Sequence, residues 1–219
     1  MKVISYCGYY PDRAHKELKR RTEDYWNAYF YVWGVKVGSH KWDFYILTPQ
    51  RVNITKNNFA LARGTFGNWA AGQIPTLTDK DNIVLIPVPS KDALLGKKDS
   101  RSLRMVREAF AGTKYENKVL DGLQWTRKVP QAHTGGSRSR DVLLPLLQAD
   151  PAVKGKRVIL VDELLSTGGS MLACADCLKA AGAEVVGAIT CGRTIYNFDT
   201  PPFGTQEFEL TAELSDWPL

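Results

Sequence analysis

Two adjacent acids and a run of small polar residues follow an apolar stretch in the segment VILVDELLSTGGSM, residues 158–171. Packing alone does not explain a strand that ends in Asp162 and Glu163, because carboxylates are costly to bury without partners. A glycine-rich turn before a helix can hold a phosphate, since it exposes backbone N–H groups at the positive end of the helix dipole. Five residues form this predicted turn: Ser166, Thr167, Gly168, Gly169 and Ser170.

The segment fits a sugar phosphate better than the common nucleotide loops. No GK[ST] ending of a Walker loop follows the turn, and no GxGxxG for dinucleotides occurs in the chain. Carboxylates next to a phosphate site are suitable acceptors for the hydroxyls of a ribose. We therefore expect the ribose at Asp162 and Glu163 and the 5′-phosphate at the turn.

Strands and helices alternate from residue 82 onward, which predicts an α/β fold with an open parallel sheet flanked by helices. Ligands bind such sheets at the carboxyl ends of the strands, where the acids stand. The predicted elements are a strand over 82–89, a helix over 100–111, a mobile loop over 121–139, a helix over 141–148, a strand over 156–163, a helix over 167–182 that Gly182 stops, and a strand over 183–191.

Basic residues concentrate in the middle of the chain. Residues 83–157 carry 15 basic and 7 acidic side chains, whereas residues 158–219 carry 2 and 9. This asymmetry suits a phosphorylated ligand or a nucleic acid. The loop and its end hold Arg127, Lys128, Arg138 and Arg140, which could close over a site or simply form a solvated connection.

The composition of the 219 residues indicates a globular protein with no membrane-spanning run and no secretory signal, so a cytoplasmic location is expected. The single CxxC pair, Cys174 and Cys177, lies in a predicted helix without a second pair or a suitably spaced histidine. Reduced, buried thiols are therefore a better interpretation than a zinc or redox site.

The first eighty residues form a predicted appended region, separate from a core over residues 81–219. We expect a basic helix over 13–27 and an aromatic-rich hairpin over 29–48. Its aromatic side chains, and those of Tyr196, Phe198 and Trp217, could cover the site as a hood and stack on a base, or pack in the core.

The word VDELLSTGGSM, after a hydrophobic strand, resembles the phosphoribosyl-pyrophosphate (PRPP) signature of type I phosphoribosyltransferases, and is similar to the adenine phosphoribosyltransferase form. The segments IPVPSKD, 131–142 and AITCGRT look more like ComF-like members. The resemblance implies that Asp162 and Glu163 bind the ribose hydroxyls, that residues 166–170 bind the 5′-phosphate, and that Ser90 and Lys91 bind pyrophosphate. An ordinary turn is the alternative for Ser90 and Lys91.

The resemblance also implies an activity, namely transfer of the 5-phosphoribosyl group from PRPP to a nitrogenous base in nucleotide metabolism or purine salvage. Mg²⁺ would bind mainly through PRPP and water, with Asp162 and Glu163 as further ligands. Lys91, Arg127 and Lys128 would offset the leaving charge, while Arg138 and Arg140 would help the loop to exclude water. Family members often form homodimers. The alternative is a PRPP-sensing or nucleic-acid-binding regulator that keeps the fold without turnover.

Overall fold

A computed structural model of the chain describes residues 1–11, 21–39, 41–129 and 139–214. The strands of this part are β1 (Lys2–Tyr9), β2 (Phe44–Leu47), β3 (Arg51–Ile54), β4 (Ile83–Pro87), β5 (Leu123–Trp125), β6 (Leu147–Ala149), β7 (Arg157–Leu165), β8 (Glu184–Thr194) and β9 (Phe203–Glu209). Its α-helices are α1 (Glu23–Val37), α2 (Ala60–Leu77), α3 (Arg101–Phe110), α4 (Arg140–Leu143) and α5 (Gly169–Ala180).

Five strands build the central sheet in the order β4-β7-β8-β1-β9. The first four run parallel, and β9 runs antiparallel to β1 at the edge. The predicted α/β fold with an open parallel sheet is therefore confirmed. The carboxyl ends of neighbouring strands meet at one edge, where the N–H of Val88 donates to Val161 O at 2.9 Å and that of Ile195 donates to Tyr9 O at 2.9 Å.

Two apolar cores cover the two faces of the sheet, because successive side chains of a strand point to opposite sides. In β7, Ile159 and Val161 face a core shared with α1, α2 and α3. Val158 and Leu160 face a second core shared with α5 and β5. The strand can hold apolar residues at successive positions because both of its faces are covered.

The N-terminal part of the chain contributes a strand to the central sheet. β1 lies between β8 and β9, and six of its eight residues are buried. The region predicted as an appendage over residues 1–80 thus supplies an internal strand as well as α1, α2 and the β2–β3 hairpin. The division of the chain near residue 80 stays a prediction.

The hairpin predicted over residues 29–48 is wrong in its first half, where α1 occupies residues up to Val37. The aromatic and β-branched content suggested a strand, yet the buried positions follow a helical spacing at Ala28, Tyr31, Val32 and Val35. The real hairpin pairs β2 with β3. The basic helix predicted over 13–27 lies largely outside the described residues.

The elements around the acids are confirmed. β4 and β7 form where strands were predicted, α3 begins after Ser100, whose side chain caps it, and α5 ends before Gly182. β8 runs a few residues beyond its predicted end. Hydrophobic periodicity with cap and stop residues therefore located the elements of the site.

Two predictions between residues 121 and 148 need correction. The expected loop begins with a buried strand, β5, which pairs with β6. The expected helix over 141–148 is limited to α4 and a short 3-10 turn before β6. Pro145 lacks an N–H and restricts the residue before it, so a regular helix does not continue through it.

Gly67 gives a test of how α2 packs on α3, because a Cβ atom added there would lie 1.6 Å from Ala109 O. We expect Gly67→Ala to lower the free energy of unfolding by about 3 kcal/mol, since one backbone must move away from the other. Urea denaturation measures the change. Gly72→Ala on the same helix is the control, because its Cβ meets no atom within 4 Å. It should leave stability equal or raise it by up to about 1 kcal/mol. Equal effects of the two changes would contradict this packing.

Candidate active site

The carboxyl edge of the sheet brings together the two segments predicted to bind a ligand. The turn after β4 carries Ser90 and Lys91, and the neighbouring strand β7 carries Asp162 and Glu163. β7 continues to Leu165, so the acids lie within the strand and the phosphate-binding turn begins beyond it. The predicted residues of both segments thus lie at the carboxyl ends of two adjacent strands.

The turn between β7 and α5 has the conformation that an anion site needs. Gly168 has a φ of 85°, a left-handed conformation that favours glycine, and α5 begins at the next residue. Ser166 is exposed, whereas Thr167 and Ser170 are partly buried. The first N–H groups of this twelve-residue helix therefore stand beside three hydroxyl side chains at the carboxyl edge.

A C-terminal segment packs against this turn and was not predicted from the sequence. Leu210 is buried, and its Cδ1 would lie 2.8 Å from a Cβ atom placed on Gly168. The N–H of Leu214 donates to Thr167 O at 2.8 Å. These contacts support the turn from the side of the second core, so glycine at position 168 satisfies both the backbone conformation and the packing.

Glu163 is buried beneath two cations that come from different helices. Its side chain points to the face covered by α1 and α3, and the residue is 6% exposed. Its Oε1 lies 2.9 Å from Lys36 Nζ and 3.3 Å from Arg101 Nη2. Burial alone would raise the pKa of Glu163, but Lys36 and Arg101 outweigh it and lower the pKa to about 2.

Asp162 has the opposite electrostatic character. Its Oδ1 accepts a hydrogen bond of 2.8 Å from the N–H of Glu163. Burial, followed by the negative charge of Glu163, raises the pKa of Asp162 well above its ordinary value. The pair therefore carries one firmly held negative charge, on Glu163, beside a carboxyl group that retains its proton more readily.

The turn after β4 is held by a small hydrogen-bond network. The hydroxyl of Ser90 donates to Asp92 Oδ1 at 2.6 Å and lies 3.1 Å from Ser102 Oγ. Asp92 Oδ2 in turn accepts from the N–H of Arg101 at 3.0 Å. Ser90 is thus buried and engaged with its own loop, while Lys91 is exposed and forms no ion pair within the described part of the chain.

Trp125 supports the same turn and was missed, because the sequence placed it in a mobile loop. Its indole is 4% exposed, and Nε1 donates to the carbonyls of Pro89 and Ser90, both at 3.1 Å. The N–H of Trp125 also donates to Ala93 O at 2.7 Å. A tryptophan two residues before Arg127 gave a weak signal in the sequence, because only the tertiary structure shows which carbonyls its indole contacts.

The four predicted loop cations are not in equivalent positions. Arg127 and Lys128 are exposed just after β5. Arg140 begins α4, where its guanidinium pairs with Asp176 of α5 and its N–H donates to Glu213. Arg138 lies outside the described residues, as does Trp217. The structure therefore brings Arg140 to the outer side of α5 and leaves two cations in solvent.

No group of three or more His, Cys, Asp or Glu side chains that could hold a metal occurs among the described residues. Nor does that part of the chain contain a helix long and apolar enough to span a membrane. Cys7, Cys174, Cys177 and Cys191 are all free thiols. Their reduced state stays a prediction.

The Glu163 ion pairs lead to a pH-dependent stability. A lowered carboxyl pKa stabilises the fold above the ordinary value of 4.5, and this contribution is lost as the pH falls toward 2. We therefore expect Glu163→Gln to lower the free energy of unfolding by about 2 kcal/mol at pH 7 and by much less near pH 3. Urea denaturation of both proteins at several pH values measures this difference. A difference that is constant with pH would contradict an ionised Glu163.

Trp125→Phe tests the support of the turn after β4. The change keeps an aromatic ring but removes the indole donor from the carbonyls of Pro89 and Ser90, of which Ser90 O still accepts from the N–H of Ala93 at 2.8 Å. The free energy of unfolding should fall by about 1–2 kcal/mol, and amide hydrogens near residue 90 should exchange faster. Trp42→Phe is the control, since Trp42 is 64% exposed. Unchanged exchange in Trp125→Phe would argue against this role.

Curated relatives match only short segments of the chain. An adenine phosphoribosyltransferase of Gluconobacter oxydans is 52% identical over 42 residues, which are 19% of this chain and 24% of the relative. Orotate phosphoribosyltransferases of Bacillus cytotoxicus and Bacillus mycoides are each 46% identical over 39 residues, 18% of this chain and 19% of theirs. The chain thus spans about a quarter or less of the length of these relatives.

A family comparison covers much more of the chain. The sequence model of the phosphoribosyl transferase domain matches residues 67–193, a range that includes β4, β7, all but the last residue of β8, and the two predicted ligand-binding segments. The resemblance to type I phosphoribosyltransferases is confirmed, whereas the ComF-like layout stays a prediction. Because the match extends over more than half of the residues, the chain belongs to the phosphoribosyl transferase domain family.

Proposed function

We propose that the protein transfers the 5-phosphoribosyl group of PRPP to a nitrogenous base and releases pyrophosphate. The observation that carries this proposal is that two segments end side by side on adjacent parallel strands. One is the acidic pair with the glycine turn that follows it, and the other is the turn that bears Lys91. The acidic pair and the glycine turn suit ribose and its 5′-phosphate, and the lysine-bearing turn suits pyrophosphate. The family membership supports the same chemistry.

Each segment has a role in binding PRPP. Residues 166–170 would hold the 5′-phosphate through N–H groups and hydroxyls at the start of α5, and Asp162 and Glu163 would accept hydrogen bonds from the ribose hydroxyls. Lys91 would meet the pyrophosphate. Ser90 would shape that turn, because its hydroxyl already bonds to Asp92 and Ser102.

The reaction forms a bond between a ring nitrogen and the anomeric carbon while the bond from that carbon to pyrophosphate breaks. Positive charge grows on the ribose and negative charge on the leaving group. The proton of the ring nitrogen passes to solvent or to the departing pyrophosphate. Catalysis is then mainly positioning and electrostatics, with Lys91, Arg127 and Lys128 offsetting the leaving charge and Arg138 helping the loop to exclude water. Arg140, whose guanidinium pairs with Asp176 of α5, would anchor the end of that loop.

Mg²⁺ fits this site only as an ion that the substrate brings. The protein offers the carboxylates of Asp162 and Glu163, but Glu163 Oε1 is already occupied by Lys36 and Arg101. Too few oxygen atoms remain for a protein cage, whereas PRPP and water supply the rest. Bound in this way, the ion would neutralise charge on the pyrophosphate.

The finer assignments rest on the family and on the absence of a spanning helix among the described residues. We propose a place in nucleotide metabolism, with purine salvage suggested by the resemblance of VDELLSTGGSM to the adenine phosphoribosyltransferase form and by the match to the adenine phosphoribosyltransferase of Gluconobacter oxydans. A cytoplasmic location and a homodimer complete this proposal.

Pyrophosphate release tests the proposal directly. The protein is incubated with PRPP, Mg²⁺ and each member of a panel of purines, pyrimidines and modified bases. We expect base-dependent release, and at least a hundredfold loss in the double variant Asp162→Asn, Glu163→Gln because the ribose acceptors are weakened. Omitting Mg²⁺ should reduce release similarly.

PRPP binding to the same samples, measured by calorimetry, separates the alternatives. Asp79→Asn is the matched control, since Asp79 is exposed and lies before β4, away from the carboxyl edge. Binding without turnover for every base would favour the PRPP-sensing regulator over the enzyme. An absence of both binding and turnover would refute the PRPP site.

A further inference from the structure

The N-terminal helix α1 is apolar on its outer face as well as on the face that it buries. No charged residue occurs between Asp24 and Lys36. The side chains that pack on the first core are Ala28, Tyr31, Val32 and Val35. Those on the opposite face of the helix, here called the outer α1 stripe, are Trp26, Phe30, Trp33 and Val37. A helix that is apolar all round is normally covered on both faces.

The two ends of the outer α1 stripe are exposed to solvent although their side chains are large and apolar. Trp26 is 41% exposed and Val37 is 42% exposed, whereas Phe30 and Trp33 between them are half-buried. The rings of Trp26 and Phe30 stack, with their centroids 5.5 Å apart and their planes at 24°. Arg21 Cζ lies 4.1 Å from the centroid of the Trp26 ring. The stripe is therefore an ordered aromatic surface, of the composition that is enriched at protein interfaces.

The sequence directly before α1 offers little apolar surface for covering this stripe. Residues 12–20, DRAHKELKR, lie outside the described residues and contain one leucine and one alanine among charged and polar residues. Contiguous apolar surface of this kind marks a contact with another molecule.

The spacing of the outer α1 stripe identifies that molecule as a second copy of the same helix. Its members recur at intervals of four, three and four residues, which is the spacing of the seam between two packed helices. The stripe is also symmetric about a point midway between Phe30 and Trp33. When two copies of α1 lie antiparallel about this point, Phe30 faces Trp33 of the partner subunit and Trp26 faces Val37 of the partner subunit. A twofold axis then makes each contact twice.

The charges at the ends of α1 favour the antiparallel arrangement. Glu23 and Asp24 lie in the first turn, and Lys36 lies in the last turn. Glu23 and Lys41, which follows the helix, are exposed and form no ion pair within the described part of the chain. Antiparallel copies bring the acidic end of each helix to the basic end of the other and oppose the two helix dipoles. A parallel arrangement would set like charges side by side.

We propose that the outer α1 stripe is the contact surface of a homodimer in which two α1 helices pack antiparallel across a twofold axis. The inference rests on the homodimer that is part of the proposed function and names its surface, which lies outside the matched range 67–193. Because α1 also supplies Lys36 to Glu163, the dimer contact and the acid of the candidate site share one helix.

Analytical ultracentrifugation of the full chain tests this contact surface. The wild type should sediment at twice the chain mass of 24.5 kDa. Trp26→Glu and Val37→Glu should each raise the dimer dissociation constant about a hundredfold, because a carboxylate then meets an apolar side chain at two symmetric points. Val142→Glu is the matched control, since Val142 is 47% exposed on α4, which packs on the other face of the sheet. It should leave the dissociation constant unchanged.

A paired substitution tests the register of the two helices. Trp26→Lys combined with Val37→Glu in one chain sets a lysine opposite a glutamate at both symmetric contacts of the antiparallel pair. The double variant should therefore dimerise about tenfold more tightly than Trp26→Lys or Val37→Glu alone. A parallel pair would set like charges together and show no recovery. A second charged substitution would not restore a variant that had merely lost its fold.

The proposal is overturned by a wild type that stays monomeric at about 100 µM, a concentration at which even a weak specific dimer forms. It is also overturned if both glutamate variants dimerise as tightly as the wild type, or if Val142→Glu weakens the dimer equally. A double variant that is no tighter than the single ones refutes the antiparallel register. Base-dependent pyrophosphate release is measured on the same samples: release from a monomeric wild type leaves the proposed activity standing without this surface, whereas a dimer without release leaves the surface standing without the activity.

Discussion

The ion pairs of Glu163 are the interaction on which the site depends. A carboxylate that is 6% exposed is stable only with partners, and here they come from the last turn of α1 and the first turn of α3. Glu163 therefore joins α1 to α3, the helix that follows the lysine-bearing turn. Arg101 extends this connection, because its N–H binds Asp92, which in turn holds Ser90.

The sequence predicted the residues that belong to local patterns. The acidic pair, the glycine turn and the strand–helix–strand unit around them could be read from a short segment, since their spacing follows from strand and helix geometry. The internal hydrogen bonds of the Ser90 turn could not, because they join residues up to twelve positions apart. The two acids also differ in environment, which depends on the helices that cover each face of β7.

The errors arose where tertiary packing overrides local preference. The aromatic residues of α1 suggested a strand, but they line a helix whose buried face follows the helical spacing. Trp125 was assigned to a loop with its basic neighbours, although its indole meets two carbonyls some 35 residues earlier in the chain. Nothing in the sequence indicated that Lys36 belongs to the site, since its partner Glu163 is distant in sequence.

The position of β1 has a consequence for how the chain folds. Its hydroxyl contact from Ser5 to Thr190 spans 185 residues, and β1 separates β8 from the edge strand β9. Because the pairing of β1 with β8 closes so long a loop, we expect β1 to join the sheet late in folding. Before β1 pairs with it, the apolar edge of β8 is open and can pair with strands of other chains. The addition of β1 therefore protects the chain against aggregation.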